Sequence, residues 1–342
     1  MAQLVEHLST PSLLIVMGLC VVMLCNGADW AVEGVVHLAR RTGLPRIVIG
    51  ATIISVGTTL PEAVVSVTAA WTGSPGLALG NGVGSIIADT GLVLGGICLV
   101  AAVPMNRFIL DRTGWVNVGA ATLLVAISGL SWAFMPEPKL GRWVGLVFLV
   151  LLAVYMFATY RWARQGKDMM PGGAPEDDSE LKRVGRCLLL IGLGLCLVIA
   201  GAQVLVPSAA GIAHRFGVPN DVIAATMVAL GTSMPELVTG IASVRKGHPE
   251  IMVGNVVGAD VLNCLFVIGA SAAAKSLSIS HTFFIFHFPV MLLLLYSFRL
   301  FISINKEGKF SRWQGAWLLG IYLLYVVSQY ALDLNMLTTG VA

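Results

Sequence analysis

Apolar residues fall into long runs along this chain, and short polar stretches between the runs carry most of the charges. Each run is close to the twenty or so residues that an α-helix needs to cross a bilayer. The pattern predicts ten membrane-spanning helices, at residues 12–38, 45–71, 77–103, 115–134, 142–160, 187–209, 218–244, 250–274, 281–302 and 313–332. We therefore expect an all-α polytopic membrane protein with ten transmembrane helices.

Composition supports this expectation. Of the 342 residues, 57% are hydrophobic and 11% are charged, whereas soluble proteins carry about 25% charged residues. The net charge of +3 is too small for a surface that follows nucleic-acid phosphates. We exclude an ordinary cytosolic enzyme and a nucleic-acid binder, and expect the lipid bilayer as the surrounding partner. The sequence leaves the oligomeric state unknown.

A polar stretch near the middle separates the spans into two halves of five. It contains Pro171-Gly172-Gly173 and the acidic run Glu176-Asp177-Asp178, a composition typical of a loop. We predict a first five-helix repeat at residues 1–163, a cytoplasmic linker at 164–183 and a second five-helix repeat at 184–342.

The basic residues indicate the orientation. With ten spans, only Lys139, Arg142, Arg215 and Lys275 share a side with the termini, and the other Lys and Arg residues lie on the opposite side. The positive-inside rule places that opposite side in the cytoplasm. We expect an integral plasma (inner) membrane protein with both termini outside and the 161–186 loop in the cytoplasm.

The two halves repeat one another in sequence. Residues 43–95 align with residues 217–269 without a gap, at an offset of 174. The matching motifs are GTTLPE at 57–62 and GTSMPE at 231–236, followed by GNGVGS at 80–85 and GNVVGA at 254–259. Because each half has an odd number of spans, the second half enters the membrane from the opposite side. The repeats are predicted to be inverted, as in many secondary transporters.

Each copy places a glutamate inside an apolar span. A charge at the bilayer centre costs at least about 2.5–3.5 kcal/mol, so Glu62 and Glu236 indicate a function. Each glutamate follows a proline, which frees a backbone carbonyl one turn back. Gly57 and Gly231 are expected to ease local unwinding.

Further oxygen-bearing side chains accompany the two glutamates. Thr58 precedes Glu62 by four residues and Thr232 precedes Glu236 by four, so each hydroxyl shares a helix face with its carboxylate. Such oxygens are the ligands that hard cations require. In the next span, Ser85 and Asp89 share a face in the same way.

The predicted centre has a formal charge of −3. The second repeat has Asn263 where the first has Asp89, and the centre consists of Glu62, Asp89, Glu236 and Asn263. Such a cluster must bind cations, take up protons or hold water in an apolar core. We therefore hypothesise that the protein transports ions.

These motifs resemble the α-repeats of the cation/calcium exchanger superfamily, specifically prokaryotic sodium/calcium exchangers (calcium/sodium antiporters). The resemblance covers both motifs, their spacing, the ten spans and the central linker. It implies a secondary active transporter, not an enzyme, that exchanges Ca²⁺ for Na⁺ by alternating access and uses no cofactor. It also implies that the first and sixth helices slide over a fixed core.

The resemblance further implies roles for individual residues. Glu62 and Glu236 would be the principal calcium ligands, shared with sodium, and Asp89 and Asn263 would complete the central site. The remaining implied ligands are the hydroxyls of Thr58, Thr59, Ser85, Thr232 and Ser233 and the backbone carbonyls of Ser55 and Ala229.

The chain departs from the family pattern in the second motif. Ile86 stands where the family usually has Asn, and Ala259-Asp260 stands where Ser-Asn is usual. Asp260 lies one helical turn before Asn263 and is predicted to add a carboxylate near the site. Asp89 and Asn263 also appear exchanged between the repeats, which leaves ion selectivity and coupling open.

Several other interpretations stay open. An H⁺-coupled antiporter for Ca²⁺ or another divalent cation would use the same fold and carboxylates. A cation channel is disfavoured because two half-sites converge on one buried point. An intramembrane hydrolase is disfavoured because HExxH and GxSxG motifs are missing from the sequence. The polar side chains of the centre also have a packing interpretation, as bridges between helices.

Overall fold

The computed structural model describes residues 9–101, 103–105, 107–169, 184–215, 231, 233–305 and 308–339. These residues form ten helices in chain order. They are α1 (Thr10–Thr42), α2 (Arg46–Thr72), α3 (Pro75–Val100), α4 (Arg107–Phe134), α5 (Arg142–Met169), α6 (Val184–Arg215), α7 (Met234–Arg245), α8 (Pro249–Ala274), α9 (Phe283–Ile304) and α10 (Arg312–Thr339).

Eight of these helices, all except α7 and α10, are long and apolar enough in their described residues to cross a membrane. The described part of α7 follows residues 216–230, which lie outside the described ranges. The 28 residues of α10 extend over about 42 Å at 1.5 Å per residue. The predicted all-α polytopic fold with ten transmembrane helices is confirmed.

Several helices are longer than the apolar runs that predicted them. α4 begins at Arg107, α5 continues to Met169 and α6 continues to Arg215. Basic and aromatic side chains are tolerated at these ends because they reach the membrane interface while the backbone stays helical. α5 therefore enters the predicted linker, whose residues 170–183 lie outside the described ranges. The division into repeats and linker stays a prediction.

Four two-residue strands join the ends of the helices. They are β1 (Val103–Pro104), β2 (Lys139–Leu140), β3 (Leu277–Ser278) and β4 (Lys309–Phe310). β1 pairs antiparallel with β4, and β2 pairs antiparallel with β3. Both pairs therefore connect one sequence half to the other.

The strand pairs show that the two halves are inverted. α4 runs from β1 to β2, so the two pairs lie at opposite ends of a membrane-spanning helix. β1 and β3 occupy equivalent positions in the repeats, at the predicted offset of 174. These equivalent strands lie at opposite ends of α4, as an axis in the membrane plane requires.

α3 and α8 share an irregularity at equivalent positions. α3 contains a π-helical segment at Asp89–Leu94, and α8 contains one at Asn263–Ile268. A π segment inserts an extra residue into a helical turn and frequently occurs at functional sites. The two segments begin at Asp89 and Asn263, which are two of the four residues in the centre predicted from the sequence.

Small residues bring α2 and α8 into backbone contact. A Cβ atom at Gly258 would lie 2.5 Å from the carbonyl oxygen of Ala51, and one at Gly50 would lie 2.5 Å from that of Ile251. Close approach through small residues is the usual basis of helix packing in membranes. This contact joins the first repeat to the second at the middle of the molecule.

α1 and α6 form a separate antiparallel pair. A Cβ atom at Gly27 would lie 2.6 Å from the carbonyl oxygen of Gly194, so the two backbones touch. Their buried apolar residues lie in a second cluster, outside the larger core, which they share with Ile49 and Ile54 of α2, Ala242 of α7 and Ile251 of α8. The pair therefore packs against the rest of the molecule as a unit.

Candidate ion-binding site

Glu62 lies on α2 with its side chain buried. The helix continues without interruption through the first motif, with Pro61 in its interior. The predicted unwinding at Gly57 is wrong, because the irregular turn is the π segment Gly50–Ile54. Gly57 instead allows the side chain of Leu195 on α6 to approach the backbone of α2.

Glu236 is held differently from Glu62. α7 begins at Met234, and Ser233 before it has φ −87° and ψ 4°, outside the helix. Glu236 therefore lies in the first turn of a helix, where the backbone dipole favours negative charge. Thr232 and Ala229, which the resemblance also assigned to the site, lie outside the described residues.

Two hydroxyls of α2 connect the repeats. Ser55 Oγ donates to the carbonyl oxygens of Gly50 (2.7 Å) and Asn255 (3.0 Å). Thr58 Oγ1 donates to the carbonyl oxygen of Ser55 at 3.3 Å, and its side chain faces the Glu236 carboxylate. A hydroxyl that donates its proton keeps its oxygen lone pairs available for a cation.

The asparagines of the two GN pairs stabilise the site in a way that the sequence reasoning missed. Asn81 Nδ2 donates to Ser66 Oγ (2.9 Å) and to the carbonyl oxygen of Glu62 (3.3 Å). Asn255 Nδ2 donates to Thr239 Oγ1 at 3.3 Å. Each asparagine therefore cross-links the two helices of its own repeat. The sequence signal for this role was that an asparagine recurs at the offset of 174.

Asp89 and Asn263 meet where the repeats face each other. Asn263 Nδ2 donates to Asp89 Oδ2 over a long distance of 3.4 Å. Both residues are buried, and each begins the π segment of its helix. The structure therefore brings these two predicted site residues together.

Asp260 lies in the same buried region. Its Oδ2 accepts hydrogen bonds from Thr90 Oγ1 (2.7 Å) and from Asn117 Nδ2 (3.0 Å). Thr90 and Asn117 are two further residues that the sequence did not indicate, because neither belongs to a repeated motif.

The carboxylates are close enough to repel one another. Glu62 is subject to the charges of Glu236 and Asp89, and Asp89 to the charges of Glu236 and Asp260. Burial removes the water that would screen these charges. The region therefore favours bound positive charge.

Many oxygens of this region lack a hydrogen-bond partner among the described residues. They are Oγ1 of Thr59, Oγ of Ser233, both carboxylate oxygens of Glu62 and Glu236, and Oδ1 of Asp89, Asp260 and Asn263. Buried polar atoms in proteins are normally paired. Buried oxygens that lack a partner among the described residues fit the ligand preference of hard cations such as Ca²⁺ and Na⁺. Ser85, another predicted ligand, is also buried here.

Carboxylates alone do not make a metal cage. Within the described ranges, no three His, Cys, Asp or Glu side chains are close enough together to hold a metal ion. A cation in this region would therefore also need hydroxyl, amide or carbonyl oxygens. Such mixed coordination suits an ion that must be released as well as bound.

The family model described as sodium/calcium exchanger protein matches residues 12–161 and 187–331. The chain belongs to the sodium/calcium exchanger family. This is a family of exchangers rather than enzymes, and both matched regions include one copy of the repeated motifs.

Individual proteins also match nearly the whole chain. An uncharacterized membrane protein, MJ0091 of Methanocaldococcus jannaschii, is 31% identical over 90% of this chain and 94% of its own length. The sodium/calcium exchanger MaX1 of Methanosarcina acetivorans is 26% identical over 92% and 97%. A solved structure of the sodium-calcium exchanger NCX_Mj, soaked with 10 mM Na⁺ and zero Ca²⁺, superposes with a TM-score of 0.79 at 26% identity, covering 94% of this chain and 99% of that one.

Proposed function

We propose that this protein exchanges Ca²⁺ for Na⁺ across the membrane by alternating access, at a site built on Glu62, Asp89, Glu236 and Asn263. The observation that carries the proposal is that the buried carboxylate oxygens of Glu62 and Glu236 have no hydrogen-bond partner among the described residues. One glutamate comes from each inverted repeat, so the site lies where an access switch between the two sides must occur.

In the proposed mechanism, calcium and sodium compete for the same two glutamates. Bound cations offset the repulsion among the carboxylates, and only a neutralised centre can pass through a closed, dry state. The hydroxyls of Thr58, Thr59, Ser85, Thr232 and Ser233 and the carbonyls of Ser55 and Ala229 supply the further oxygen ligands. No cofactor takes part in this cycle.

The α1–α6 pair is the element that we propose to move. Its two helices contact each other along glycine-lined faces, and the pair meets α2, α7 and α8 in a second apolar cluster separate from the larger core. It packs through contacts such as Gly57 with Leu195 on α2, the helix that carries Glu62. A sliding pair would open the site to one side and then to the other without rearranging the core.

The proposed orientation follows the basic residues. Lys139 lies on β2, next to β3, and Lys309 lies on β4, at the opposite end of α4. The β1–β4 end, which carries most of the Lys and Arg residues, would face the cytoplasm. Both termini and the β2–β3 end would then lie outside a plasma (inner) membrane.

Sodium-driven calcium uptake tests the proposal. Purified protein is reconstituted into sodium-loaded liposomes, diluted into sodium-free buffer that contains a protonophore, and assayed for uptake of radioactive calcium. We expect uptake that requires the outward sodium gradient and is lost in Glu236→Gln. Uptake without sodium that follows an imposed pH gradient would instead establish the proton-coupled alternative. Calcium uptake by folded Glu236→Gln at the wild-type rate would contradict the assigned site.

A further inference from the structure

A buried polar cluster lies beside the proposed site on one side of the pseudo-two-fold axis only. It consists of Asp260 on α8, Thr90 on α3 and Asn117 on α4, all with almost no exposed surface. Oδ2 of Asp260 accepts both hydrogen bonds of the cluster, at 2.7 Å and 3.0 Å. Thr90 directly follows Asp89, so the cluster adjoins the proposed site.

The equivalent cluster on the other side of the axis is apolar. At the offset of 174, Asp260, Thr90 and Asn117 correspond to Ile86, Cys264 and Met291. These three counterparts are also buried. Helix packing is therefore satisfied by apolar side chains at the same positions, and the fold does not require the carboxylate of Asp260.

The second carboxylate oxygen of Asp260 differs from the first in its surroundings. Oδ1 is buried and has no hydrogen-bond partner in the part of the chain that the structure describes. Arg299 is the one buried arginine in the described ranges. It lies 3.4 Å from Asp111 on α4 and donates a hydrogen bond to Ser303 on α9. Arg299 is therefore paired with Asp111 and not with Asp260. A buried carboxylate without a counter-charge is unfavourable, so Asp260 must be neutralised from solution, either by a proton or by a metal cation.

We propose that Oδ1 of Asp260 binds a sodium ion at a position of its own, beside the Glu62/Glu236 centre. The inference rests on the proposed sodium/calcium exchange and adds one sodium ion to the sodium-loaded state. Oδ1 of Asp89 and Oδ1 of Asn263 also lack a partner within the described residues. They would supply the sodium ion with one charged and one neutral oxygen ligand. A singly charged ion fits because no three acidic side chains in these ranges converge on one point.

The isosteric substitution Asp260→Asn tests this position cleanly. Its Oδ1 can accept both hydrogen bonds that Asp260 Oδ2 accepts, while its Nδ2 replaces the unpartnered oxygen. The variant therefore keeps the contacts with Thr90 and Asn117 and removes only the charge and one ligand. Thr90→Val is the matched control, since it removes one of the hydrogen bonds and leaves the carboxylate in place.

The measurement is equilibrium dialysis of radioactive sodium against purified, calcium-free protein in detergent at fixed ionic strength and pH. We expect Asp260→Asn to retain one fewer sodium ion per chain than the wild type, and Thr90→Val to retain the wild-type number. In liposomes, Asp260→Asn should move fewer sodium ions per calcium ion, measured from the membrane voltage at which net calcium flux is zero.

The outcomes separate this inference from the proposed function. Equal sodium retention by wild type and folded Asp260→Asn would overturn the additional position while sodium/calcium exchange stands. A variant that loses proton coupling rather than a sodium ion would also overturn it, because Asp260 would then carry a proton. A wild type that retains no sodium at all would overturn both proposals.

Discussion

α3 and α8 are the same helix built twice, and their difference lies in charge. Both begin at a proline, both contain a π segment at the same place, and both lie in the buried core. Yet α3 has Ile86 and Asp89 where α8 has Asp260 and Asn263. Each of these pairs therefore contains one carboxylate, but at a different position of the shared pattern. We propose that the duplication sets where ligands can lie and that these single residues set where positive charge is bound.

The largest expected effect comes from removing the glutamate of either repeat. We expect Glu62→Gln and Glu236→Gln each to reduce sodium-driven calcium uptake by at least about 100-fold, because each removes a shared ligand of both ions. Uptake rates in liposomes check this expectation. Glu137→Gln, an exposed glutamate after α4, is the matched control and should transport normally. An effect of Glu62→Gln alone would show that the repeats are not equivalent at the site.

The contact between the repeats should be the next most sensitive feature. A Cβ atom at Gly258 would lie 2.5 Å from the Ala51 carbonyl oxygen and closer still to Ser55 Oγ. Gly258→Ala should therefore lower the free energy of unfolding by about 1–3 kcal/mol, seen as a lower unfolding temperature in detergent. Gly119 is exposed on α4, and a Cβ atom added there would have no described neighbour within 4 Å. The control variant Gly119→Ala should therefore unfold as the wild type does. Equal unfolding temperatures of the two variants would contradict the observed packing.

Moving the central charge from one repeat to the other would sharpen the comparison. Asp89→Asn removes a carboxylate and Asn263→Asp adds one, and each should weaken calcium-coupled transport by about tenfold. The double variant restores the charge on the opposite helix. We expect it to transport faster than either single variant, measured as calcium uptake. If the double variant loses as much as both single variants combined, the two positions are not equivalent.

The smallest effect is expected at the ends of α2 and α8. Arg46 Nη1 lies 2.9 Å from Glu250 Oε1, whereas the repeat-equivalent residues, Asn220 and Gly76, carry no charge. Both partners are partly exposed, so Arg46→Gln should lower the free energy of unfolding by about 1 kcal/mol or less. Arg161→Gln on α5 is a control outside this pair.

The same substitution should change the pH dependence at His248. Burial, and next the charge of Arg46, hold the pKa of His248 below its ordinary value. Protonation therefore opposes folding, and stability is lost as pH falls below about 6.5. Arg46→Gln should raise the pKa of His248 and lessen that loss, measured from unfolding temperatures between neutral and acidic pH. An unchanged slope would contradict the contribution of Arg46.

The features that could be predicted from the sequence are those whose signal occurs in both repeats. The ten helices, their inversion and the meeting of Asp89 with Asn263 followed from apolar runs and from an offset of 174. The contacts of Asp260 with Thr90 and Asn117 could not be predicted, because they join three helices and have no polar counterpart in the other copy. The uninterrupted helix at Gly57 was also missed, since a glycine that permits unwinding equally permits close packing of α6.

Competition between calcium and sodium tests the central claim most directly. Binding of radioactive calcium to the purified protein is measured in detergent at increasing sodium concentration, for wild type and for Glu62→Gln. One shared site predicts that sodium displaces all of the bound calcium and that Glu62→Gln binds neither ion at this site. Calcium that stays bound at saturating sodium, in protein that still catalyses sodium-driven uptake, would contradict a shared site at the two glutamates.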